Sequence, residues 1–246
     1  MAKYDTAVAC INGAAVECGL TAVTDPYSSV DPAFVQLCQL LSSGGKELVG
    51  AFQWSHLINT YNLTTVLGDS GNYPLPPDFL EMIDQSGWSS TYRTPLGGPF
   101  DSQDWQMVTN NNTLASIYLS FRLFKEQISV WPQPPLGGIN VNFEYKSRWW
   151  VGLYNSGSIP AIVPQKDSPM AASDIILFDH LMILKFLKVR FKDARGLDST
   201  AAAEEFTTAF NMVTGQNIGA AVLSLTRKTL FPYLGDRNVP TTRYGL

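Results

Sequence analysis

At 246 residues, with 45% apolar and only 15% charged side chains, the chain is long enough for one large domain or two small ones. Its net charge of −4 excludes a strongly basic nucleic-acid binder on overall charge, though not a local basic patch. The most apolar run, residues 175–189, is broken by Asp179, His180, Lys185 and Lys188, so no span of about 20 apolar residues suits a membrane, and Met1–Asp5 offers no secretory apolar region.

Residues 6–18 place Val8, Ile11, Ala15 and Cys18 at helical spacing, with Gly19 as the stop. A loop over 21–30 follows. Asp31-Pro32 then reads as an N-cap and a proline at the first helical position. Val35, Cys38, Leu41, Gly45, Leu48 and Phe52 continue a period near 3.5, which predicts one helix to about Trp54 with a weak point at Gly44-Gly45. Cys10, Cys18 and Cys38 form no C-x-x-C pair, and buried free thiols are expected.

Beyond Trp54 the pattern changes to strands. Residues 57–67, 88–94, 117–123, 128–131 and 138–145 are rich in aromatic and β-branched residues, with a short segment at 79–83. Asp101–Trp105 reads as a short capped helical turn. Residues 152–170 hold Gly, Ser and Pro steps and read as an extended loop. Ser173-Asp174 is expected to cap a helix running to Ala194 and closed by Gly196, with Lys188, Arg190, Lys192 and Arg195 at its negative end. Asp198-Ser199 starts another helix with Ala202, Phe206, Ala209, Phe210 and Val213 on one face.

The expected fold class is therefore α+β: an antiparallel bundle of about four helices (1–57 and 171–217), an inserted antiparallel β domain (58–151), the extended loop (152–170) and an extended C-terminal tail (218–246). Over the last 28 residues, Arg227, Lys228, Arg237 and Arg243 face only Asp236, a net +3 on a body of −7.

Gly68-Asp69-Ser70-Gly71 looks like the surroundings of a protease nucleophile. Such a serine needs a base, an orienting acid and oxyanion donors. His56 and His180 are the only histidines, and the motif continues with Asn72 where the protease pattern has glycine. A polar turn suits these residues better. Gly44-Gly45-Lys46 is followed by Glu47 and forms no phosphate loop. No catalytic, cofactor-binding or metal-ligating set is expected. Two alternatives remain: a serine hydrolase using Ser70 with His56, and a carbohydrate-binding module using Trp88, Trp105 and Trp131.

The segments "FQW", "YPLPPDF", "PLGGPFDSQDWQ", "SVWPQPPLGGINVNFEYKSRWWV" and "DHLMILKFLKVRFKDARGLD" occur in one order over roughly residues 6–210. In that order and spacing the chain resembles the head-to-tail adaptor proteins of short-tailed bacteriophages, also described as connector or tail tubular proteins. The resemblance implies a helical bundle with an inserted β domain. It further implies a virion protein of the phage neck, made in the host cytoplasm, that forms a twelve-subunit ring. The ring would sit below the portal, continue the double-stranded DNA channel without reading sequence, and offer its lower face to the tail nozzle or fibres. A C-terminal tail would climb into the portal. On that reading Leu230, Phe231, Tyr233, Leu234 and Tyr244 are apolar anchors, and Arg227, Lys228, Arg237 and Arg243 pair with portal acids.

Overall fold

The computed structural model describes residues 4–110, 119–133, 137–154 and 162–218. Its elements in chain order are β1 (Asp5–Thr6), α1 (Ala7–Glu17), α2 (Pro32–Ala51), a 3-10 turn (Ser55–Leu57), β2 (Ile58–Thr64), β3 (Asn72–Pro74), β4 (Phe79–Met82), β5 (Trp88–Ser89), β6 (Thr94–Pro95), α3 (Ser102–Asn110), β7 (Ser120–Phe124), β8 (Gln127–Trp131), β9 (Asn140–Ser147), β10 (Val151–Tyr154), β11 (Ile162–Lys166), β12 (Ile175–Ile176), α4 (His180–Ala194) and α5 (Thr200–Ile218). The chain is α+β, but the expected helical bundle with a small β insert is overturned. Among the described residues, five helices accompany twelve strands in three antiparallel sheets, and one of those sheets is built into the helical half.

That sheet has the order β1-β12-β10-β11. It accounts for two corrections. First, Asp174 does not cap a helix. Its carboxylate takes Lys166 Nζ at 2.8 Å and the backbone N–H groups of Met170 and Ala171 at 2.8 and 3.0 Å. The β-branched pair Ile175-Ile176 then finds a partner strand on each side, β1 and β10, so ladder pairing wins over helix. The helix starts later, capped by Asp179, which accepts from Leu181 and Met182 N–H at 3.0 and 3.2 Å. Second, residues 152–170 are not simply a loop, because they contain most of β10 and all of β11. Pro164 fits there because β11 is an edge strand, where a missing N–H costs no ladder bond. In the β region, the helical turn expected at 101–105 extends into the nine-residue α3.

The other two sheets are β2-β9-β5-β6, with β4 also on β9, and β3-β8-β7. β2 pairs along its whole length with β9, from Ile58↔Lys146 to Thr64↔Asn140. Alternate residues Val141, Phe143 and Tyr145 face the core with Phe121, Ile128 and Val130. A separate cluster fills the helical half, with Ile11, Leu37, Leu41, Trp54, Trp150, Phe178 and Ile183 buried together.

Gly44-Gly45 proves to be a close-packing site inside α2. A methyl at Gly44 would overlap the Phe186 ring, and one at Gly45 would overlap the Trp150 indole. Helix propensity alone would make Gly45→Ala stabilising by up to about 1 kcal/mol. Overpacking against a fully buried indole reverses the sign, and we expect a net loss of roughly 1–3 kcal/mol in urea denaturation.

A charged clasp joins three helices. Lys185 of α4 meets Glu17 of α1 and Glu205 of α5, each at 3.0 Å, and Lys188 meets the same two acids at 3.1 and 3.0 Å. Burial pushes the Glu17 carboxyl up, but the Lys185 and Lys188 bonds outweigh it and hold it below its ordinary value; the same two lysines lower Glu205. For Asp174, burial is likewise outweighed by Lys166 and the two backbone donors. Lowered carboxyl values mean that stability is complete above the ordinary carboxylate range and is lost as pH falls through the lowered values. We therefore expect the urea midpoint to fall progressively below pH 4.5, and Glu17→Gln to flatten that acid limb while lowering the midpoint at pH 7.

Candidate functional site

The Gly68–Gly71 segment is a turn between β2 and β3. Asp69 Oδ1 accepts from Ser70 N–H at 2.6 Å, and Ser70 Oγ accepts from Asn72 N–H at 3.3 Å. His56 sits at the other end of β2, packed on the rings of Tyr4, Trp54 and Phe178 at 5.6, 5.9 and 6.1 Å. A seven-residue strand between them puts the two groups on the order of 20 Å apart. The structure does not bring Ser70 and His56 together.

A second constellation joins a thiol, an imidazole and a carboxylate. His180 Nδ1 lies 3.7 Å from Cys10 Sγ and 3.6 Å from Asp5 Oδ2. Both neighbours use the same ring nitrogen, whereas a relay needs one on each. Burial, with a lesser push from the Asp5 charge, raises the Cys10 thiol to about 12, so it stays protonated at neutral pH. Of the other cysteines, Cys38 is raised to about 11 by burial and Cys18 is raised for the same first reason. All three are free thiols, but only Cys10 is fully buried. Among the described residues, no cluster of three His, Cys, Asp or Glu side chains is arranged to hold a metal ion.

Of the three tryptophans considered for sugar stacking, Trp105 and Trp131 are 6% and 8% exposed. Only Trp88, at 41%, offers a ring face. The tail residues from Arg227 to Tyr244 lie outside the described residues. What the structure does place is the end of α5: Ser55 Oγ donates to Asn217 Oδ1 at 2.7 Å, and Asn217 Nδ2 donates to Gln53 carbonyl at 3.3 Å. The chain therefore leaves α5 beside the junction of the helical and β halves.

The Tyr73–Phe79 run lines a concave surface. Tyr73 is buried, and Tyr61 Oη–H donates to the Pro74 carbonyl at 3.1 Å. Leu75 N–H is held by the Glu126 carbonyl at 3.1 Å, and Phe79 N–H by Pro76 at 3.0 Å. Asp78 anchors the corner. Its carboxylate accepts from Tyr145 Oη–H at 2.9 Å and Asn59 Nδ2 at 3.3 Å, and its carbonyl takes Arg148 N–H at 2.8 Å. Burial, then the bond to Asp78, pushes the Tyr145 hydroxyl up to about 12. The ring of Tyr145 stacks on Phe79 at 5.7 Å.

Opposite this corner stands the β7–β8 hairpin. Between them lies a groove of about 770 Å³, lined by the Pro74–Pro77 run, Leu80, Leu123, Phe124, Lys125 and Arg148 among others. A neighbouring hollow of about 310 Å³ shares Phe79, Leu80 and Leu123 with it and reaches Leu96 and Pro99. Leu80 and Phe124 are 43% and 48% exposed, so they offer apolar contacts within a lining that also carries Lys125, Glu126, Gln127 and Arg148. Sequence reasoning missed Phe124, Lys125 and Arg148. The two alternating runs at 117–123 and 128–131 signalled a hairpin, but Lys125-Glu126 is not the Asn-Gly type of turn that would have marked it.

No family model and no curated protein matches the chain. Among the described residues, no helix is long and apolar enough to cross a membrane.

Removing the Asp78 carboxylate should leave Tyr145 and Asn59 without their acceptor. We expect Asp78→Ala to cost about 1–3 kcal/mol in urea denaturation, with Tyr145→Phe added to it recovering part of the loss.

Proposed function

We propose that the protein is a structural component of a phage virion: a head-to-tail adaptor that forms a ring between the portal and the tail, carries the DNA channel across the joint, and bears the tail nozzle or fibres. The observation that carries this reading is the ordered set of segments "YPLPPDF", "PLGGPFDSQDWQ", "SVWPQPPLGGINVNFEYKSRWWV" and "DHLMILKFLKVRFKDARGLD". It does not rest on the bundle architecture, which the three sheets replace.

The fold gives these segments connected duties, which supports treating them as one set. The first makes the corner held by Asp78. The third includes β8, β9 and the buried Trp150, and so links the β sheets to the helical core. The fourth is α4, which packs against α1, α2 and α5. Assembly is further favoured by low charge and by half-exposed apolar side chains on the helices, among them Val16, Val35, Leu181 and Met212. A ring would cover such surfaces by heterologous contacts that close on themselves. A net-negative body would let DNA slide past where its acids face the channel.

The test is reconstitution with the portal protein encoded alongside this chain. We expect co-sedimentation and a ring in electron micrographs of the complex. Deleting residues 219–246 should abolish co-sedimentation while leaving the circular-dichroism melt of the described fold in place. Full-length protein that stays apart from the portal at micromolar concentration would overturn the adaptor reading; normal docking by the truncated protein would overturn the tail's role alone.

A further inference from the structure

We propose that the groove between the Pro74–Pro77 corner and the β7–β8 hairpin binds an extended, apolar segment of a partner protein that carries carboxylates. The inference stands on the groove itself and requires neither a ring nor a portal.

Three observations converge on it. The first is size and lining. Volumes of about 770 and 310 Å³, adjacent across the shared Phe79, Leu80 and Leu123, fall in the range of real binding clefts and leave room for several side chains of one segment. Leu80 and Phe124, nearly half exposed, give an occupant's apolar side chains two places to pack within a mixed polar and apolar lining.

The second is charge. Lys125 and Arg148 both line the larger compartment, against Glu126 alone, in a protein of net charge −4. Lys46, Lys146, Lys166, Lys185, Lys188 and Arg190 form ion pairs elsewhere in the fold. Among the described residues, Lys125 and Arg148 have no carboxylate partner. Two free cations at the edge of a trough with apolar contacts are complementary to carboxylates on an apolar segment.

The third is the way the hairpin presents these groups. Lys125 and Glu126 have φ of 50° and 58°, the left-handed pair of a two-residue hairpin turn that glycine and asparagine normally fill. The sequence accepts this local cost and gains charged side chains at the groove edge. Phe124 is steadied between two cations, with Arg122 Cζ at 4.5 Å and Lys125 Nζ at 5.1 Å from its ring centre. The opposite wall is rigid, because prolines fix the corner and Asp78 bonds it to Tyr145 and Asn59. A preformed, fixed groove loses little entropy on binding.

The test uses the full-length protein, immobilised, and a pool of random octapeptides built from Asp, Leu, Phe and Pro. A matched pool has Lys in place of Asp. Retention is read by mass spectrometry. We expect the acidic pool to be retained over the basic one. The double variant Lys125→Glu/Arg148→Glu should reverse that preference, with retained acidic peptides losing affinity by roughly tenfold. Phe124→Ala should weaken both interactions, and Leu80→Ala serves the same purpose should Phe124→Ala fail to fold. Equal retention of the two pools, retention of neither, or a preference unchanged in the double variant would overturn the proposal. So would a short DNA duplex that displaces the acidic peptides and itself loses binding in the double variant, since that result makes the surface a phosphate site.

Discussion

The indole of Trp150 lies against the backbone of Gly45, with its Nε1–H given to the Asp167 carbonyl at 2.7 Å. This contact couples the two halves of the molecule. Trp150 follows β9 directly, and β9 is the strand on which β2, β4 and β5 all pair. The same indole stacks toward Phe178, which in turn meets Trp54 at the exit of α2. A helix that carried a side chain at position 45 would have to stand off from the sheet, and the aromatic cluster would lose its floor. The glycine pair thus weakens α2 as an isolated helix and strengthens it in place, because packing outweighs propensity where a large ring is fully buried.

Around that junction, carboxylates hold the chain together. Asp174 gathers Lys166 and two backbone donors at the return from β11 to β12. Glu17 and Glu205 share two lysines across three helices. Asp78 fixes the proline corner on Tyr145 and Asn59. Lys125 and Arg148, beside the proline groove, have no carboxylate partner among the described residues, and they sit where the surface is concave and leaves Leu80 and Phe124 part-exposed. The proposed adaptor role would call for surfaces of this kind, in which specificity comes from charge placement and affinity from apolar area.

Several elements were legible because their signals are local. The Asp31-Pro32 start of α2 and the stops at Gly19 and Gly196 are capping chemistry confined to a few residues. The alternating aromatics of β9 and the runs of β2 and β8 announced sheet, since period-two patterning needs no knowledge of the partner. Ser70 read correctly as part of a turn because glycine, aspartate and asparagine supply that geometry themselves. The misreadings share a different cause. Ser173-Asp174 resembles a helix cap, and 152–170 resembles a loop, until β1, β10, β11 and β12 meet. Those strands are short, and β1 is far in sequence from the other three.

The sequence by itself determined the capped start of α2, the glycine stops of α1 and α4, the period-two strands such as β9 and the turn at Gly68–Gly71, because each depends on backbone chemistry within one or two turns of chain. Only the tertiary structure decided that the helical half carries its own four-stranded sheet, that Gly44-Gly45 is a seat for two aromatic rings, and that Tyr-Pro-Leu-Pro-Pro faces a lysine–phenylalanine hairpin across a groove. These depend on contacts between residues tens of positions apart. Such contacts are selected by shape and burial of the whole chain, and no local pattern encodes them.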